Sequence, residues 1–270
     1  MARCSAESAI CRLCSGTARF AFSEELLDRY TVSYFRCTGC ECLQTEQPYW
    51  LPEAYAGIDS NRNTGAVKRC LYNFALTLAV SRVLNLPRIL DYGGGHGLLC
   101  RLLRDNNKDA YWFDRYCSPG YATGFTSSPA DSFDLVTAFE VFEHLQNPGL
   151  DLDEIFSPRP RAVLVTTELY RGQGPDWWYL APIEGQHVFF YSLAGVERIA
   201  RRYDYNVLIG RGFILFFREP IGAIKRFILR HLVGATVVRV LLVAALARDK
   251  SGAQSDFELL TSRLSKSRSP

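Results

Sequence analysis

Short apolar runs alternate with longer amphipathic stretches through the middle of the chain, the pattern of strands alternating with helices. The runs at 88–91, 110–114, 133–138 and 162–166 read as strands, and 206–209 and 213–217 close the sheet. Between them, 64–85 carries Leu71, Phe74, Ala75 and Leu78 at helical spacing and stops before Pro87. Further helices are expected at 97–105, at 150–156 and at 192–203, the last opened by a Ser192 cap. No internal repeat is visible.

The first strand runs directly into Asp91-Tyr92-Gly93-Gly94-Gly95-His96-Gly97. Glycines at such a turn let the backbone approach a ligand closely, and the helix behind them offers unpaired N–H groups. A dinucleotide turn of the G-x-G-x-x-G kind would need glycine at position 98, which is Leu98. The spacing present is acidic-x-Gly-x-Gly-x-Gly. Asp114, at the end of the second strand, falls about 20 residues beyond the turn, where a carboxylate can accept ribose hydroxyls. The strand 133–138 then releases Glu140, Glu143 and His144 at its carboxyl end, before Asn147-Pro148.

Together these segments resemble the glycine-turn and fourth-strand motifs of class I S-adenosylmethionine-dependent methyltransferases. The resemblance implies a Rossmann-like α/β fold, a seven-stranded sheet with helices on both faces. It also implies S-adenosylmethionine held by Asp91, Gly93, Gly95, Gly97, Asp114 and Glu140.

Nine cysteines stand in the chain, five of them at Cys11, Cys14, Cys37, Cys40 and Cys42. Cys11/Cys14 and Cys37/Cys40 form two C-x2-C pairs, each able to clamp one edge of a tetrahedral Zn²⁺. The long spacer between them leaves room for an extra hairpin between Arg19 and Arg36. Cys42 or Cys4 could replace one of the four. Four thiolates would close the coordination sphere, so the zinc is expected to be structural. Cys70, Cys100 and Cys117 lack metal spacing and read as small packed residues.

The stretch Tyr34-Phe35-Arg36-Cys37-Thr38-Gly39-Cys40, with Gln44 to Leu51 and Ala54-Tyr55, is similar to the zinc-ribbon front end of bacterial sugar methyltransferases. The implied organisation is a zinc ribbon over 1–55, a methyltransferase domain over 56–220, and a C-terminal helix with a flexible tail over 221–270. The implied acceptor is a small molecule, a nucleotide-linked sugar or glycan precursor. His144 is the leading base, since a neutral imidazole accepts a proton near neutral pH. Glu143 could orient it, and His187 is a second candidate. The aromatic and polar segment from Gln173 to Ser192 could face a substrate or pack the loop onto the sheet.

At 270 residues and 48% hydrophobic content the chain can bury one full core and a small appendage. A net charge of +3 does not by itself argue for nucleic acid. Glu41, Glu46 and Glu53 speak against the ribbon as a nucleic-acid grip, the reading in which the acceptor is RNA or another macromolecule. A third reading is a scaffold that binds cofactor without turnover, which the intact motif residues disfavour. The N-terminal residues form no signal-peptide pattern, so a cytoplasmic location is expected. The segment 221–248 is too interrupted by Lys225, Arg226, Arg230 and Arg239 to span a bilayer and reads as a packing or homo-oligomerising helix. The tail 261–270 reads as disordered.

Overall fold

The computed structural model describes residues 7–56 and 65–232, with residues 252, 255, 256, 258 and 259. In chain order the strands are β1 (Ser8–Ile10), β2 (Thr17–Leu26), β3 (Tyr30–Cys37), β4 (Leu43–Thr45), β5 (Arg88–Tyr92), β6 (Asp109–Phe113), β7 (Leu135–Phe139), β8 (Ala162–Thr166), β9 (Phe189–Phe190), β10 (Asn206–Ile209) and β11 (Ile214–Phe217). The helices are α1 (Leu51–Ala56), α2 (Ala66–Leu84), α3 (Leu98–Asp105), α4 (Pro148–Phe156), α5 (Leu193–Tyr203) and α6 (Ala223–Phe227). Two compact units emerge. One comprises 1–64, 140–157 and 165–207, the other 65–139, 158–164 and 208–270.

The second unit is built around a six-stranded sheet of order β10-β11-β8-β7-β5-β6. β5 lies between β6 and β7 and is parallel to both. The chain therefore steps to one side of β5 and then to the other, which opens a crevice at the carboxyl ends of these strands. β8 is buried at all five positions, as its unbroken apolar run requires of a strand covered on both faces. α2 ends at Asn85, which takes φ 54° and returns its N–H to Arg82 and Ser81, just before Pro87. Its buried face, with Phe74, Ala75 and Leu78, joins Ile89, Leu103, Leu135 and Leu164 in one core.

Among the described residues this sheet has six strands where the resemblance implies seven. Residues 114–134, between β6 and β7, form no helix, and their pairing is a single parallel bridge from Thr126 to Trp112. Pro119, Gly120, Gly124 and Pro129 fall within this short span, and prolines and glycines disfavour both the crossover helix and the strand it would deliver.

In the first unit a five-stranded sheet has the order β1-β2-β3-β4-β9. The hairpin expected between Arg19 and Arg36 is β2/β3, turning at Leu27 and Asp28 with φ of 56° and 52°. Phe189 and Phe190 pair antiparallel with Gln44 and Leu43, so a segment expected as a loop supplies the last strand. Leu26, Tyr34, Trp50, Tyr179, Val188 and Phe190 share one core, and the Trp50 indole N–H donates to the Gly185 carbonyl at 2.8 Å. α5 opens as expected, with the Ser192 hydroxyl accepting from the Gly195 N–H at 2.9 Å.

Among the described residues no helix is long and apolar enough to cross a membrane. α6 continues into one π-helical turn, Ile228–Leu232. The remainder of the proposed C-terminal helix, and the tail 261–270, lie outside the described residues.

Candidate functional site

In the second unit, the glycine turn leaves β5 with Gly93, Gly95 and Gly97 all at positive φ (69°, 54° and 83°). The N–H groups of Gly93 and Gly94 donate to the Phe113 carbonyl at 2.8 and 3.2 Å, which fastens the turn to the end of β6. Asp114 completes the link. Its Oδ2 accepts from the Gly95 N–H at 2.9 Å, and its Oδ1 accepts from the N–H groups of Tyr116 and Cys117 at 2.8 and 2.9 Å. Two donors fill Oδ1, so among the described residues only Oδ2 keeps a lone pair for a ligand hydroxyl.

Asp91 is buried beneath the turn. Its Oδ1 accepts from the Thr137 hydroxyl at 3.2 Å, and its Oδ2 has no hydrogen-bond partner among the described residues. Burial raises its pKa to about 7, opposed by the Thr137 hydrogen bond and reinforced by the charge of Asp114. Sequence reading passed over Gly94, yet a Cβ there would stand 2.6 Å from Asp91 Oδ2 and 2.7 Å from Trp112. Over Gly95, by contrast, a Cβ would meet nothing within 4 Å. The turn is therefore packed from below and open above, the form a ligand-cradling loop requires. Trp112 holds the open side by donating its indole N–H to the Gly95 carbonyl at 3.0 Å. No local signal marks Trp112 or Thr137 for these roles, because both act through register on neighbouring strands.

Glu140 follows β7 directly and belongs to the first unit. It takes φ 54°, and Thr166 at the end of β8 holds it twice. The Glu140 N–H donates to the Thr166 carbonyl at 3.1 Å, and the Thr166 hydroxyl donates to Glu140 Oε1 at 2.9 Å.

The three residues expected to carry chemistry come together in the first unit. Ligand atoms of Glu143, His144 and His187 all lie within 4.8 Å of one another. Glu143 and His144 stand on a single 3-10 turn after β7, and His187 precedes β9. His144 Nδ1 faces the Gln186 carbonyl at 3.1 Å, and His187 Nδ1 faces the Tyr179 carbonyl at 2.7 Å. Carbonyl oxygen only accepts, so each Nδ1 carries the proton and each Nε2 presents a lone pair. Burial lowers the pKa of both imidazoles, which favours the neutral form. The aromatic segment divides its labour: Tyr179 and Phe190 are core, while Trp178 is 72% exposed.

Cys11, Cys14, Cys37 and Cys40 bring their sulfurs within 4.8 Å of one another. The separations are 3.6 Å for Cys11 to Cys40 and 3.5 Å for Cys14 to Cys37. Thiolates about 2.3 Å from a shared tetrahedral ion stand about 3.8 Å apart, so the four fit one metal ion. Burial opposes ionisation of Cys37, and the N–H groups of Cys40 and Gly39, at 3.4 and 3.3 Å from its sulfur, outweigh it and bring its pKa to about 7. Cys42 lies beside Cys40 but outside the four, and the Ser192 N–H reaches its sulfur at 3.5 Å. Cys4 lies outside the described residues. Cys100 is buried, its pKa raised to about 12 mainly by that burial, as befits a packed thiol.

The crevice, the glycine turn and the acid at the end of β6 define a cofactor-binding α/β enzyme fold. A family model described as "Methyltransferase domain" matches residues 49–208, more than half of the chain, and the protein belongs to that family. The crystal structure of 1,6-didemethyltoxoflavin-N1-methyltransferase from Burkholderia thailandensis, bound to 1,6-didemethyltoxoflavin and S-adenosylhomocysteine, is similar with a TM-score of 0.50 and 10% identity. It covers 74% of this chain and 100% of that one. Magnesium protoporphyrin IX methyltransferase from Synechocystis PCC 6803 with bound SAH gives 0.41 and 14%, covering 64% of this chain and 96% of its own. The methyltransferase domain of bacterial CtHen1 gives 0.40 and 22%, covering 54% and 97%. At these identities the likeness is one of fold. No curated protein matches the sequence.

Proposed function

We propose that this chain transfers the methyl group of S-adenosylmethionine to a small-molecule acceptor, a nucleotide-linked sugar or glycan precursor. The observation that carries the cofactor is the glycine turn that a Cβ would fill below and that is empty above, tied to Asp114 by the 2.9 Å bond from Gly95. The S-adenosylhomocysteine bound by the toxoflavin enzyme of like fold supports the same reading. When bound, S-adenosylmethionine supplies an activated sulfonium methyl. Gly95 leaves room for it, Gly93 and Gly97 shape the turn at positive φ with Gly97 close against Ala122, Asp114 Oδ2 accepts a ribose hydroxyl, Asp91 lies beneath the turn, and Glu140 follows β7 as a further cofactor-binding residue. His144, neutral and with Nε2 unprotonated, takes the acceptor's proton, with Glu143 and His187 beside it.

The sugar acceptor rests on the likeness of the Cys37 to Tyr55 stretch to sugar-methyltransferase front ends. Cys11, Cys14, Cys37 and Cys40 hold a structural zinc, whose closed thiolate set leaves no position for substrate. Reduced thiols at zinc spacing suit the cytoplasm. Calorimetric titration of the zinc-replete protein tests the cofactor directly. Micromolar binding of S-adenosylmethionine and S-adenosylhomocysteine without NAD binding is the expected result, and NAD binding alone would refute it. Acceptors are then screened among nucleotide sugars. His144→Gln should spare cofactor binding and slow transfer.

A further inference from the structure

Glu143 is fully buried, and neither of its carboxylate oxygens has a hydrogen-bond partner among the described residues. A buried carboxylate without donors is poorly tolerated unless a counter-charge joins it. The Tyr179 hydroxyl lies near enough for Glu143, together with burial, to oppose its ionisation, and it also meets the Thr167 hydroxyl at 3.2 Å. The other two members of the group add acceptors as well. His144 and His187 spend their Nδ1 protons on backbone carbonyls, and each keeps a lone pair at Nε2. Two imidazoles and a buried carboxylate thus gather with ligand atoms within 4.8 Å of one another, beside the Tyr179 and Tyr191 hydroxyls whose ionisation the Glu143 charge opposes.

An imidazole held by a backbone carbonyl through one nitrogen, with the other left to ligate, is how folds orient metal-binding histidines. The backbone around the group is also fixed. The Val188 N–H donates to the Glu143 carbonyl at 2.9 Å, so the segment bearing His187 is hydrogen-bonded to the turn bearing Glu143 and His144.

We infer that Glu143, His144 and His187 bind a divalent first-row transition-metal cation, separate from the ion of the cysteine cluster. Two imidazole nitrogens and one carboxylate oxygen suit manganese through zinc better than the oxygen-seeking Mg²⁺ or Ca²⁺. Three protein ligands leave positions for water or for an oxygen of the acceptor. With the cation present His144 Nε2 would be a ligand in place of the base role given above; the metal would lower the pKa of a bound acceptor hydroxyl, which would give its proton to solvent water and take the methyl on the resulting alkoxide oxygen. That role rests on the methyl-transfer reading, whereas the binding itself does not.

The test is cobalt binding to the full zinc-loaded chain, followed by visible absorption and without S-adenosylmethionine or acceptor. The expected result is one equivalent of Co²⁺ giving weak d–d bands and no sulfur-to-metal charge transfer. Glu143→Gln and His187→Gln should each weaken that binding by ~10-fold or more, while zinc content and circular dichroism stay unchanged. Should either variant fail to fold, His144→Gln serves as the third ligand probe, judged by the same spectrum. No bound cobalt, undiminished binding in the folded variants, or thiolate charge-transfer bands would overturn the assignment, the first pointing to a proton shared within the group. Since no cofactor enters the measurement, its failure would leave the methyltransferase reading standing, and failure of that reading would leave a cobalt result standing.

Discussion

Arg12 donates from Nη2 to the Val188 carbonyl at 2.6 Å, and so ties the loop between the first two cysteines to the residue that follows His187. The same guanidinium reaches the Gln146 carbonyl at 3.0 Å, two residues beyond His144, and the Thr45 carbonyl at 3.1 Å. Burial lowers its pKa to about 10, leaving it charged at neutral pH. The cysteine cluster therefore braces the histidine pair through one buried cation.

Arg12→Ala would remove a charged donor from three carbonyls, leaving Val188 the Thr45 hydroxyl at 3.3 Å. A loss of about 3 kcal/mol is expected in chemical denaturation, with zinc still bound, since charge-assisted bonds to buried groups each contribute ~1.5–3 kcal/mol and are not additive. Arg12→Lys should recover only part, because an ammonium cannot span acceptors arranged for a guanidinium. An unchanged midpoint for Arg12→Ala would remove the bracing role.

Cys37→Ser should lower the zinc content by one equivalent in elemental analysis and lower the melting temperature. Prolonged chelation of the unmutated protein should shift melting the same way. Zinc content equal to that of the unmutated chain would show that the metal sits elsewhere.

Gly94→Ala and Gly95→Leu separate packing from ligand space. The first pushes a Cβ to 2.6 Å from Asp91 Oδ2 and should destabilise the fold. The second meets open space but forces a side chain onto φ 54°, a strain of about 1–2 kcal/mol, and should leave a folded protein without S-adenosylmethionine binding. Calorimetry beside thermal melting reads both; a Gly95→Leu variant that binds normally would move the ligand away from the turn.

Asp91 makes stability fall as pH rises. Its folded pKa of about 7 lies above the ordinary carboxylate value of 3.8 expected of the unfolded chain, so the folded state holds a proton that the unfolded state releases. Its contribution is complete below the unfolded pKa and is lost between about pH 4 and 7, on the order of 4 kcal/mol. Asp91→Asn should flatten that slope in melting temperature against pH. A slope retained by the variant would assign it to another group.

Much of this was legible in sequence because the signals are local. The apolar run before Gly93, the acid at Asp114 and the Ser192 cap each declare themselves within a few residues. The residues that stayed hidden act across distance: Arg12 on Val188, Thr137 on Asp91, and Phe189–Phe190 on Leu43 and Gln44. Glu143, His144 and His187 were each visible as polar residues near strand ends, but a backbone hydrogen bond from Val188 to Glu143, not a motif, brings His187 to the other two. The absent strand between β6 and β7 was written in the prolines and glycines of 114–134, against an expectation carried over from a larger family.

β9 closes a sheet whose other four strands end by residue 45, so more than half the chain must leave the ribosome before that sheet has its last edge. During synthesis the β4 edge stands exposed, with Leu43 and Gln44 able to pair with the wrong partner. An N-terminal fragment ending before Phe189 would carry that open edge permanently, and would be prone to aggregate even with its cysteines loaded.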